Sequence, residues 1–203
     1  MNKKIIVIGR QYGSGGHELG ERLAKELGIP LYDRELAEAV SEKLSMSEED
    51  VEAMDEHALS ELVLAYQARR TYRQPRGSYG KDTIVTDQVF NQQSAAIRGL
   101  AQQGACVIVG RCADYVLRER KDVLSVFVRA GKEDRRKRLM NLYDLTESQA
   151  EGAIKKNDKS RRRYYEQHTG KKWGAARNYH LVLNMSALTM EGAVELLKSG
   201  YHQ

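Results

Sequence analysis

The glycine-rich turn Gly13-Ser14-Gly15-Gly16-His17, which follows the apolar run Ile5 to Ile8, is the first place where residue types and spacing could do chemistry. Glycines let a backbone curl with its N–H groups facing inward, and a helix that follows adds its positive dipole end, so main chain alone can hold a phosphate. The nucleotide-binding pattern G-x-x-x-x-G-K-[ST] is incomplete here. Setting Gly15 at its second glycine puts Arg10 at the first, Gly16 at the lysine and His17 at the hydroxyl residue. An ordinary glycine turn would read the same; placement between a strand and an amphipathic helix favours the phosphate. A cation from elsewhere must then replace the lysine. Arg10 is nearest, and Lys155, Lys156 and Lys159 are further candidates.

A second constellation is Asp158-x-x-Arg161. On a helix this spacing puts carboxylate and guanidinium on neighbouring turns of one face, where one can take a ribose hydroxyl and the other a phosphate. A structural i,i+3 ion pair would look identical. The surroundings favour a ligand: residues 155–172 hold eight Lys or Arg against Asp158 and Glu166, a local balance of +6, whereas the whole chain carries only +5. A solvated basic helix is the plainer alternative. The tail Thr169-Gly170-Lys171-Lys172-Trp173-Gly174 would let the segment move as a lid. Arginines on a closing lid bring positive charge and exclude water together, which phosphoryl transfer needs.

These residues need a frame. Leu19, Leu23 and Leu27 form one helix face that Gly28 stops, and residues 29–32 read as a short strand ending in Asp33. Leu36, Val40 and Leu44 mark a second helix, and Val51, Met54, Ala58, Leu62 and Ala65 a third, opened by Ser47 and Asp50. Residues 69–86, with Pro75, Gly77 and Gly80, have no periodicity and read as a mobile loop or the tip of an insert. Order returns with Val89, Gln93, Ala96 and Leu100, a helix that Gly104 ends before the strand 105–109 and Gly110-Arg111. A strand at 123–128 leads into an Arg-rich helix at 132–142, and Thr146 with Gln149 is a capping-box pair. The last strand is 181–184 and the last helix 190–198. Continuously apolar strands separated by helices predict a parallel sheet covered on both faces, with ligands beyond the strands' carboxyl ends. Residues 13–17, Asp33, Arg111 and Arg129 fall at such ends.

A chain of 203 residues, 41% hydrophobic, suits one domain. Its N-terminal apolar run is too short for a signal peptide and nothing approaches a membrane span, so a soluble cytoplasmic protein is expected, with no membrane partner. Cys106 and Cys112 follow no metal-ligand spacing and read as free thiols, and no metal site is expected on protein side chains.

Several elements together resemble the cytidylate-kinase-like branch of the P-loop nucleoside monophosphate kinases. Gly13-Ser14-Gly15 resembles the family's phosphate loop, and residues 27–33 its second strand. Val109-Gly110-Arg111 with Asp114 is similar to the D-G-R-D element, residues 126–130 with Glu133 and Arg135 to Arg138 to the strand and Arg-rich helix before the lid, and Asp158 with Arg161 to the lid's D-x-x-R. The resemblance implies a three-layer α/β P-loop fold, a five-stranded parallel sheet with helices on both faces and a helical lid at about 145–178; residues about 45–88 match no part of the family pattern and read as an inserted helical or loop segment on the acceptor side. It also implies ATP and Mg²⁺, the metal held through nucleotide phosphates. The backbone of Gly13, Ser14, Gly15, Gly16 and His17 would cradle the donor's phosphates, with Arg135 or Arg138 near the donor base and lid. Asp33 and Arg111 would hold the acceptor, Asp158 its ribose and Arg161 its phosphates; Arg10, Asp158 and Arg161 are the catalytic candidates. Asp33 as a helix cap and Arg111 paired with Asp114 are the plainer readings.

The departures at Gly16, His17, Val109 and Cys112 bear on catalysis. Three functions therefore stand: a kinase acting on a nucleoside monophosphate, cytidylate first; a nucleotide-binding sensor or pseudokinase without turnover; and an RNA-binding module stacking bases on Tyr164, Tyr165 and Trp173. Nucleotides are the expected partners, nucleic acid is not, and a homo-oligomer is compatible with the sequence.

Overall fold

The computed structural model describes residues 4–33 and 81–201, with 81–89 described by backbone alone. The helices expected at 36–44 and 51–65 lie outside the described residues.

Strand β1 (Ile5–Arg10) is the middle of a five-stranded sheet ordered β2-β3-β1-β4-β5, with β2 (Leu31–Tyr32), β3 (Cys106–Val109), β4 (Val123–Arg129) and β5 (Leu181–Asn184). All pairings are parallel; Ile5 faces Cys106 on one side and Val123 on the other. The strands read as continuous apolar runs because both faces are covered and successive side chains serve opposite layers. Ile6, Ile8, Val107, Val109, Val126 and Val128 pack with Leu19 and Leu23 of α1 (Gly16–Leu27) and with Val194 and Leu197 of the C-terminal helix. Ile5, Val7, Cys106 and Ile108 pack on the other side with Ile97 of α2 (Lys81–Gln103) and Ala113 of α3 (Ala113–Val116). Each such buried Leu or Ile contributes on the order of 1.5–3 kcal/mol.

Helix α1 stops at Gly28, whose φ of 65° is left-handed and whose N–H bonds the carbonyls of Ala24 and Lys25, as expected from sequence. Helix α4 (Lys132–Tyr143) turns into α5 (Glu147–Thr169), a continuous 23-residue helix opened by the predicted capping box: Thr146 Oγ1 accepts from Gln149 N–H and Gln149 Oε1 from Thr146 N–H. The two helices enclose Leu139, Ala150 and Ile154, against which Tyr12 packs. The turn Ala176–Asn178 leads to β5, and α6 (Met190–Tyr201) closes the chain.

One boundary differs. Helix α2 begins at Lys81, so the last residues of the expected loop at 69–86 are helical; Gly80 is the final breaker, and nothing from 81 to 89 is Gly or Pro. The rest of that loop lies outside the described residues. The short α3 and the turn at 176–178 have no periodic signal in the sequence. No described helix is long and apolar enough to cross a membrane.

The chain leaves β1 toward β2 on one side of the sheet and leaves β4 toward β5 on the other. The crevice between the carboxyl ends of β1 and β4 is therefore where a ligand is expected, and the glycine-rich turn lies there.

Candidate active site

The turn after β1 is built by its own backbone and by β4. Gln11 N–H donates to the Val128 carbonyl at 2.9 Å, and the buried Ser14 hydroxyl donates to the Gln11 carbonyl at 2.8 Å and lies 3.2 Å from that of Val128. Ser14 thus holds the loop's shape with its side chain. Gly13 and Gly15 have φ of 74° and 84°, a region open to glycine at little cost. Gly15 is the N-cap of α1 and supplies no side-chain cap, so the first-turn amides of α1 face the loop's mouth uncapped. This differs from α5, whose first turn has its capping box. An uncapped helix N-terminus with an inward-curling glycine turn fits a phosphate.

Gly16 has no room for a side chain. A Cβ there would lie 2.6 Å from Arg10 Cβ, 3.1 Å from Arg10 Cγ and 3.3 Å from Val128 Cβ. The stem of Arg10 thus fills the place where a lysine at residue 16 would begin. Its guanidinium, 9% exposed, reaches to 3.8 Å from Asp33. His17 Nδ1 is 2.9 Å from the other oxygen of Asp33, and Nε2 is 3.3 Å from Glu21. Burial pushes the Asp33 carboxyl up, but the His17 bond and the charges of Arg10, Arg111 and His17 outweigh it and hold Asp33 below its ordinary range. The same bond raises His17, against a smaller opposing effect of burial. Asp33 is thus the hub of a cationic cluster; whether it also caps a helix lies outside the described residues.

Arg111, 5% exposed, follows β3 in a run of positive φ: Gly110 80°, Arg111 57° and Cys112 54°. Two consecutive non-glycine residues in this region are costly and must be held by the surrounding packing. The charge of Arg111 helps hold Asp33 ionised, and Asp114 accepts from Tyr165 Oη at 2.8 Å. Burial raises the Asp114 carboxyl, partly offset by the Tyr165 bond. Tyr179 stands beside Tyr165, and burial raises both phenols. Arg10, Arg111, Arg161 and Asp114 line a cleft with Tyr164, Tyr165, Trp173 and Tyr179.

The tyrosines and the tryptophan named as base-stacking surfaces are therefore cleft and core residues. Tyr165 is 4% exposed, Tyr164 Oη donates to Gln93, and Trp173 packs edge-on against Phe127 with ring centroids 5.4 Å apart. The tail thought to free a lid is packed as well: a Cβ on Gly174 would meet Phe127 at 2.9 Å.

Helix α5 reaches the loop directly. Tyr12 N–H donates to Asp158 Oδ1 at 2.8 Å, Arg135 Nη1 is 2.6 Å from Asp158 Oδ2, and Arg161 Nη1 donates to the Arg10 carbonyl at 3.2 Å. Asp158, expected at a ribose, and Arg135, expected near the donor base, thus meet each other beneath the loop. Arg138 ion-pairs with Glu18 of α1, and its Cζ would stand 3.6 Å from a Cβ on Gly15, at the loop's rim. Lys155, Lys156 and Lys159 are exposed on α5. The contact with the Tyr12 amide had no signal in the sequence, and neither had Tyr179; Asp114 was visible only as part of a motif.

A model of the cytidylate kinase-like family matches residues 5–187. No curated protein matches the chain. Among solved structures, an uncharacterized protein from Eubacterium ventriosum ATCC 27560 is similar at 27% identity and a TM-score of 0.69, covering 97% of each chain. A shikimate kinase from Bacteroides thetaiotaomicron, at 15% identity and a TM-score of 0.53, and TT1252 from Thermus thermophilus, at 16% and 0.55, each cover 98% of both chains and share the fold.

Proposed function

The chain belongs to the cytidylate kinase-like family, and from that premise we propose that it transfers the γ-phosphoryl group of ATP to a nucleoside monophosphate, cytidylate first. The observation that carries the reading is the close approach of Gly16 to the Arg10 stem, which occupies the space where a side chain at residue 16 would begin and so supports Arg10 as the cation used in place of the lysine. ATP with Mg²⁺ supplies the phosphoryl group, whose bond to the β–γ bridging oxygen breaks as one to an acceptor phosphate oxygen forms, and a metal that offsets charge. The amides of Gly13 to His17 hold the donor's phosphates, and Arg138 lies on the donor side. Arg10 keeps positive charge beside the migrating group. Arg111, Arg161 and Asp33 receive the acceptor in the cleft, and α5 covers it from water. In this reading Mg²⁺ is carried by the nucleotide's phosphates. Residues 145–178 as lid, and about 45–88 as acceptor-side segment, belong to the same proposal.

A second reading, nucleotide binding without turnover, is favoured by Gly16 and His17 standing where lysine and a hydroxyl residue are usual. ADP release measured across a panel of nucleoside monophosphates, with shikimate included, separates the two. Release stimulated most by CMP, and lost in Arg161→Ala at unchanged Tm, supports the kinase. Stabilisation by ATP with no release on any acceptor supports the second reading.

A further inference from the structure

Residues 10–12, which lead into Gly13, are gripped from outside by α4 and α5. The Tyr12 residue is held at both of its backbone groups: its N–H donates to Asp158 Oδ1 at 2.8 Å, and its carbonyl lies 3.3 Å from Arg135 Nη1. That nitrogen is also 2.6 Å from Asp158 Oδ2, which closes a ring of Tyr12, Arg135 and Asp158 across three elements. Both side chains are largely buried, at 9% and 14% exposure, where charge-assisted hydrogen bonds are strong and loss of one partner is costly. One turn along α5, Arg161 donates to the Arg10 carbonyl and its guanidinium lies over the Tyr12 ring at 5.5 Å.

Both carboxylate oxygens of Asp158 therefore face donors that belong to the loop and its support. The torsions on either side of the Tyr12 amide and carbonyl set the direction in which the chain enters Gly13, and hence where the following amides point. We propose that Asp158 is a positioning residue for the phosphate loop, setting its grip on the donor nucleotide through Tyr12 and Arg135, and that it does not read the acceptor's ribose. This rests on the donor site of the proposed function. The linkage is reciprocal: a donor that favours the ordered loop also favours α5 seated on it.

Three variants test it. Asp158→Ala removes both contacts, Asp158→Asn keeps an oxygen for Tyr12 N–H but loses the charge facing Arg135, and Arg135→Gln removes the charge from the other side. The readouts are Kd for a fluorescent ATP analogue, which needs no turnover; the ratio of kcat/KM for CMP over 2′-deoxy-CMP; and amide exchange in α5 with and without ATP. Asp158→Ala is expected to weaken ATP binding tenfold or more, with Asp158→Asn and Arg135→Gln between it and wild type. The ribose ratio should stay unchanged, and the slowing of α5 exchange by ATP should be lost in Asp158→Ala. Should Asp158→Ala fail to fold, the two milder variants carry the same comparison. Unchanged ATP affinity with a collapsed ribose ratio overturns the proposal in favour of ribose contact. A lower Tm with unchanged ATP affinity overturns it in favour of mere packing. A wild-type chain that binds no ATP overturns this and the kinase reading together, whereas one that binds ATP but turns over no acceptor overturns the kinase reading alone.

Discussion

Restoring the familiar lysine at residue 16 should damage this protein. The Cβ of any residue there falls 2.6 Å from Arg10 Cβ, well inside the distance at which carbons repel, and 3.3 Å from Val128 Cβ. Neither neighbour can yield easily, because Arg10 and Val128 face each other as paired residues of β1 and β4. Gly16→Ala must therefore push α1 off the sheet, an overpacking cost of about 1–3 kcal/mol, or a fall in Tm of about 2–4 °C per kcal/mol in a chain of this size. Gly16→Lys should cost as much and gain no rate. Arg10→Ala leaves the Cβ but removes the charge. If Arg10 stabilises the transferring group, turnover should drop on the order of 10²–10³-fold, equivalent to about 2.7–4 kcal/mol, read at a temperature where the variant is folded, because Arg10 is also a buried cation facing Asp33 and its loss lowers Tm as well. The decisive variant is the double exchange Arg10→Gly with Gly16→Lys, which removes the obstructing Cβ and returns a cation from the other side; it should recover at least tenfold over Arg10→Gly alone. Scanning fluorimetry and coupled ADP release with CMP give both quantities. Gly16→Ala with wild-type Tm, or Gly16→Lys faster than wild type, would refute the reasoning.

Two titrations carry further expectations. Asp33 holds His17 above its ordinary value, so NMR should find the imidazole titrating above about 6.5, and Asp33→Asn should lower it. The stabilising effect of that bond is full below the unfolded value and is lost as pH rises through the raised folded one. For Asp114, burial raises the folded value, so the native state binds this proton more tightly than the unfolded chain does and loses stability as pH climbs from about 3.9 through the raised value. Asp114→Asn keeps an acceptor for Tyr165 and removes that penalty. Its Tm should exceed wild type at about pH 8, with the gap closing near pH 4; a gap independent of pH would show that Asp114 does not ionise across this range.

The strands and helix ends were legible because local chemistry decides them: an apolar run needs two covered faces, Gly28 stops α1, and Thr146 with Gln149 opens α5. The start of α2 was not, because Pro75, Gly77 and Gly80 break helix only up to residue 80 and the stretch after them has no apolar periodicity to mark where the helix begins. At the site, Arg10, Arg111 and Arg161 were visible as cations at strand ends or on a basic helix, and all three line the cleft. Their partners were hidden. Nothing local to Asp158 says that its oxygens face Tyr12 and Arg135, 146 and 23 residues away. Nor could Gly16 reveal that its missing side chain is explained by Arg10, since that is a distance between a strand and a helix. Sequence shows which groups are present; packing decides which of them can meet.

The most direct measurement is ³¹P NMR of the full chain with ATP, Mg²⁺ and CMP, wild type beside Arg10→Ala. The β-phosphorus signals of ADP and CDP are expected to grow in equal amounts with wild type, and at a rate lower by at least 10²-fold with the variant at a temperature where both proteins are folded. Equal rates in the two proteins, or ATP bound tightly by wild type while CMP stays unphosphorylated, would contradict that expectation.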